Sequence, residues 1–239
     1  MKNIALYSHK KQSGISLFVV MVVILLAMLL SVWAARSSLF NELIVSNDAD
    51  YQRAYEAAEA LVQDAETDIR TNSADTCVRD SSAAATVCRP APYQQFILET
   101  NELGLLLNDL TAVATTQCKD AICAKRVSYQ DWWNNPTQLE AMQSIGARYG
   151  TYTGAIKGDK SNPLLNSTTS GEGGHYWIEI LSYEEKGEGQ AVIEGSTSNT
   201  LTVNAKPLVA YRITAVVKGL KAATRAVIQS TYVQNKTQE

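Results

Sequence analysis

The sequence predicts an α+β fold in which one long N-terminal helix, half transmembrane and half amphipathic, packs on a C-terminal antiparallel β-sheet. Three observations predict it. Residues 15–35 contain no charge, Gly or Pro; neither Pro nor Gly occurs between Ile15 and Arg89; and three β-rich runs close the chain.

The uncharged run Ile15–Ala35 is about 21 residues long. At about 1.5 Å per residue it is long enough to cross a hydrocarbon core of about 30 Å. Lys10 and Lys11 precede it, which places the N-terminus in the cytoplasm and the bulk of the chain outside, with Arg36 opposing weakly. A secretory signal has an apolar region of only about 7–15 residues, although Ser31-Val32-Trp33-Ala34-Ala35 leaves simple secretion as a rival reading.

Past the membrane segment the composition stays rich in Ala, Glu, Leu and Gln, so a helical rod of about 55 residues is expected. Leu39, Leu43, Ala54, Ala58, Leu61, Ala65 and Ile69 recur mainly every three or four residues, with a gap around Val45–Tyr51, and form the expected packing stripe. Glu56, Asp64 and Asp68 are expected to point outward.

Residues 71–92 are rich in Ser, Thr, Ala and Asp and read as a loop. Residues 93–118 read as one helix or two, with Gly104 as the interruption. Asp131-Trp132-Trp133 reads as core or rim packing rather than as an anchor for a partner. From Lys157 to Gly174 turn-forming residues dominate, so a surface loop is expected, and His175 beside Gly173-Gly174, the one histidine after His9, is expected to be a solvated loop residue. Tyr176–Tyr183, Leu208–Val217 and Ala223–Val233 are the β-rich runs. Alternation is clearest at Tyr211, Ile213, Ala215 and Val217 against Arg212 and Thr214, and Gly219 suits a hairpin between the last two runs.

Four cysteines, Cys77, Cys88, Cys118 and Cys123, all follow the apolar run and suit an oxidising compartment. They allow three pairings, of which Cys77–Cys88 with Cys118–Cys123 is preferred. The spacings fit no common zinc site. The formal charge of −3 offers no basic patch for nucleic acid. No nucleophile elbow or His-centred catalytic arrangement is present, and Glu184-Glu185 reads as a solvated strand end, so neither enzyme activity nor a cofactor is expected.

Two stretches carry a family resemblance. Lys10-Lys11-Gln12-Ser13-Gly14 followed by Ile15-Ser16-Leu17-Phe18-Val19 resembles a prepilin leader. Glu42-Leu43-Ile44-Val45-Ser46-Asn47, with Gln52-Arg53-Ala54-Tyr55-Glu56-Ala57-Ala58-Glu59-Ala60 after it, resembles the N-terminal signature of PilX-type minor pilins. The closing Tyr211–Ala215 and Ile228–Tyr232 are similar to that family's last hairpin.

The resemblance implies a type IV pilin-like fold and cleavage by prepilin peptidase between Gly14 and Ile15. The segments would then be a leader (1–14), a transmembrane and polymerisation helix (15–35), its amphipathic continuation (36–70) and a periplasmic globular domain (71–239). Val19 stands fifth in the processed chain, where major pilins carry the glutamate that pairs with a neighbour's amine. Its absence implies a place at the fibre tip or in a priming complex. The implied partners are other minor pilins, the major pilin, prepilin peptidase and a tip adhesin. The implied location is the inner membrane and then the pilus. A type II secretion pseudopilin shares these features, and a membrane-anchored sensor or binding domain is the remaining alternative.

Overall fold

The computed structural model describes residues 15–72, 89, 96, 100–126, 131–155, 162–169, 171–185, 191–193, 200–201 and 209–233. The leader with Gly14, Cys77 and Cys88, most of the 71–92 loop and parts of the 157–174 and 187–199 stretches lie outside the described residues. Two compact units result, Met1–Asp48 and Ala49–Glu239.

Helix α1 (Ile15–Asn72) is 58 residues long, in line with a sequence that has no breaker before Arg89 and is dominated by helix formers. In the first unit all its described side chains from Ile15 to Asp48 are exposed.

In the second unit α1 presents Ala54, Ala57, Ala58, Leu61, Ala65 and Ile69 to the core. They meet Tyr176, Ile178 and Ile180 of β3 (Gly174–Glu185) and Tyr211, Ile213, Ala215 and Val217 of β6 (Val209–Lys218). Four alanines on one helical face let the backbone come close to the sheet. Gly174 lies at this contact: a Cβ there would meet Leu61 Cδ1 at 2.5 Å. Leu39 and Leu43, expected in the same stripe, are exposed and belong to the first unit. The packing stripe therefore starts at Asp50.

The sheet is mixed. β6 pairs antiparallel with β3 and with β7 (Arg225–Tyr232), as the alternating runs predict. The short β2 (Ile122–Ala124) instead runs parallel to β3, and β1 (Cys118–Lys119) folds back on β2. The five strands lie in the order β1-β2-β3-β6-β7. The far end of β3 continues into β4 (Ala191–Ile193) and β5 (Thr200–Leu201), two short strands within the excursion that follows the first β-run.

The sheet is covered on both faces, which weakens the alternation along β6. Trp132, Met142, Trp177 and Val216 form a second cluster with the disulfide Cys118–Cys123. Trp132 meets Trp177 edge to face at 4.8 Å, and the Trp177 indole N–H donates to the Met142 carbonyl at 2.9 Å. Met142 is brought there by α3 (Pro136–Gln143), which starts on a Pro and is capped by Asn135, whose side chain accepts from the Gln138 N–H. The preference for core packing at Trp132 is met.

Helix α2 (Thr100–Thr111) passes through Gly104 without a break. In the 157–174 stretch a short α4 (Pro163–Asn166) buries Leu164 and Leu165. Asn162 ties it to α1 by donating to the Arg53 carbonyl at 2.6 Å. The Arg148 guanidinium gathers the rest by donating to the carbonyls of Ser167, Thr169 and Glu172.

The two halves of α1 differ in what they contribute to stability. Leu61→Ala should cost about 2–5 kcal/mol, because a fully buried leucine leaves a cavity against Gly174. Leu39→Ala, at an exposed position, should stay within about 0.5 kcal/mol. Urea unfolding of the detergent-solubilised chain checks both.

Candidate functional site

The first unit carries an apolar surface that no described residue covers. Phe18, Leu29, Trp33, Phe40 and Val45 are each between 65% and 70% exposed. One 18-residue window of α1 reaches a mean hydropathy of 3.1 with none of it buried, so α1 is long and apolar enough to cross a membrane. Such a surface requires lipid or neighbouring helices. The polar Ser31 is accommodated in it, since its hydroxyl donates to the Ala27 carbonyl at 2.8 Å. Val19 lies in this surface, half-exposed, and the first carboxylate after Ile15 is Glu42.

The second half of α1 carries acids on its buried face. Asp50, Ala54, Ala57, Leu61, Asp64 and Asp68 follow one another at spacings of four and three, a single stripe of a 3.6-residue helix. Asp64 and Asp68 were expected outward; both are buried, as is Asp50. The reason is that each carboxylate has a partner held by a different part of the fold, and partnered acids can be buried where isolated ones cannot.

Asp50 binds the turn between β6 and β7. Its two oxygens accept from the backbone N–H groups of Leu220 and Lys221, each at 3.0 Å. Burial alone would raise its pKa. The Lys221 N–H, the Thr224 hydroxyl, the Leu220 N–H and the Arg53 charge outweigh burial and hold it below the usual carboxylate value. Gly219 makes room, because a Cβ there would stand 2.6 Å from Asp50 Oδ2. Asp64 accepts from the Gly150 N–H at 2.8 Å and from the Thr153 hydroxyl.

Asp68 is the deepest of the three. Arg89 donates to it through Nε, at 3.0 and 3.1 Å to its two oxygens, and again through a terminal nitrogen. The Tyr176 hydroxyl donates to it at 3.0 Å. Neither charged side chain has any solvent exposure. The guanidinium also lies 3.9 Å from the Tyr152 ring centre and donates to the Asp120 carbonyl, next to the Cys118–Cys123 disulfide. Burial by itself would lower the Arg89 pKa, but Asp68 reverses this and raises it. The Tyr176 hydroxyl is pushed up by burial and by Asp68.

His175, expected in a solvated loop, is buried in β3 and stacked on Trp177 at 6.0 Å between ring centres. It is in β3 because the strand starts at Gly174, one residue before it. Its Nδ1 has no hydrogen-bond partner. Burial, with the nearby Arg148 charge second, lowers its pKa to about 4. Of the preferred cysteine pairing, Cys118–Cys123 is formed, while Cys77 and Cys88 lie outside the described residues. Among the described residues no group of three His, Cys, Asp or Glu side chains is placed to hold a metal.

Arg89 is the participant that sequence reasoning missed. The signal for the acids was present, since they interrupt an otherwise apolar heptad stripe, but nothing local marks the arginine 21 residues away as the partner.

Two family profiles match. One, described as the C-terminal part of the type IV pilus assembly protein PilX, covers residues 108–234, and the PilX N-terminal profile covers residues 13–62. Neither a curated protein nor a solved structure matches the chain.

Two measurements probe this arrangement. Arg89→Met leaves Asp68 buried without a counter-charge and should cost about 3–5 kcal/mol, whereas Asp68→Leu combined with Arg89→Met should recover most of that loss in equilibrium unfolding. His175 titrates at about 4 in the fold against an ordinary 6.5, so the unfolded chain takes up the proton first. Stability should therefore fall by up to about 3 kcal/mol as pH drops from 6.5 towards 4, and His175→Gln should flatten that part of the pH profile of thermal unfolding.

Proposed function

The chain belongs to the PilX family and is a type IV pilus minor pilin, and from that premise we propose that it helps initiate pilus assembly within a tip or priming complex. The observation that carries this reading is the division of α1. From Ile15 to Asp48 it is exposed, and from Asp50 to Ile69 it forms the spine of a folded unit. One helix thus serves as the membrane anchor before assembly and as the surface for neighbouring helices afterwards.

The leader 1–14 is removed by prepilin peptidase between Gly14 and Ile15, leaving residues 15–35 in the bilayer. Residues 36–70 continue the helix and residues 71–239 form the periplasmic domain. Lys10 and Lys11 on the leader support that orientation. Val19 supports the tip position. A subunit that joins beneath another offers a carboxylate to the amine of the subunit already in the fibre above it, and a chain with nothing above it has no such bond to make. Its partners are other minor pilins, the major pilin below it and an adhesin beside it. The family match favours the pilus over type II secretion.

N-terminal sequencing of the membrane-extracted protein should begin at Ile15 in cells with prepilin peptidase and at Met1 in cells without it. Deletion should lower the number of surface pili, and immunogold label should gather at fibre ends. Label spread evenly along the fibres would refute the tip assignment.

A further inference from the structure

Strand β7 is an outer edge of the sheet: among the described residues it pairs only with β6, in unbroken register from Arg225 to Tyr232. Alternate residues of an antiparallel strand turn their N–H and C=O groups away from the neighbour, so about half of β7 turns backbone groups outward, where no described strand meets them. Edges are normally protected against pairing by charge, proline or a bulge. From Ala226 to Tyr232 there is no charged residue and no Pro, and the register with β6 has no bulge. The opposite edge, β1, is only 2 residues long.

A groove of about 760 Å³ opens at the start of β7, between α3 and the β6–β7 turn. Leu139, Val216 and Ala223 give it an apolar lining, Lys218 and Arg225 bring positive charge, and Glu140 is the one acid. Arg225 is engaged, donating to the Trp133 carbonyl at 2.6 Å and to the Asn134 side chain at 3.2 Å. Lys218 is exposed, and no described carboxylate pairs with its ammonium.

We propose that β7 is a docking edge for an extended strand of a different chain, paired antiparallel so that its acidic C-terminal end enters the groove beside Lys218. Main-chain hydrogen bonds along β7 hold the strand, and the charge at one end sets its direction. A second copy of this chain is the poorer occupant: its β7, Arg225–Tyr232, has no acid to set opposite Lys218. That the occupant belongs to a co-assembling subunit rests on the pilus reading; the edge and the groove do not.

The test is fluorescence anisotropy with the purified full chain in detergent and short labelled peptides of alternating Thr and Val. One peptide ends in two glutamates, one in two lysines, and a third keeps the glutamates but has alternate amides N-methylated. The glutamate peptide should bind saturably and the lysine peptide about ten-fold more weakly, while the N-methylated one should not bind. Lys218→Glu, at an exposed position, should reverse the charge preference with an unchanged circular dichroism spectrum. Equal affinity for both charges, binding of the N-methylated peptide, or no saturable binding would overturn the proposal. A self-dimer that the peptide displaces would overturn the choice of a different chain. None of these readouts depends on leader cleavage or pilus counts, so the two readings fail separately.

Discussion

The fold depends on three carboxylates placed in the apolar stripe of a single helix. Alanine and leucine alone would let α1 lie on the sheet in several registers, because small apolar side chains fit one another after a shift of one turn. Asp50, Asp64 and Asp68 remove that freedom. Each is buried and each is met by donors on a different part of the chain: the β6–β7 turn, the Gly150–Thr153 turn, and Arg89 with Tyr176. A shift of one turn would strand all three acids in a dry interface, where an unpartnered charge is very costly. The apolar contacts supply attraction, and the acids supply position.

The same helix therefore meets two environments. Up to Asp48 it is uniformly exposed and, over its first part, uniformly apolar, so its surface suits lipid or other helices of the same kind. From Asp50 onward the stripe narrows to alanines, leucine and buried acids that fit one sheet only. The first surface is general and the second is specific.

Much of this was legible in the sequence. The absence of breakers before Arg89 gives the helix, the alternation at Tyr211–Val217 gives β6, and Gly219 gives the hairpin. What was not legible rests on contacts distant in sequence. Asp64 and Asp68 look like solvated acids until Gly150 and Arg89 are brought to them, and His175 looks like a loop residue until β3 is seen to start at Gly174. The parallel β2 was hidden for the same reason: three residues, Ile122–Ala124, carry no period of their own and become a strand only beside Ile178–Ile180.

The bond between Asp50 and the Leu220 and Lys221 amides joins positions 170 and 171 apart in the chain. A pull on α1 is therefore met at its first buried turn by the last hairpin as well as by the backbone that follows. The β-ladders of β6 with β3 and with β7 lie across the hairpin and would bear such a load in shear.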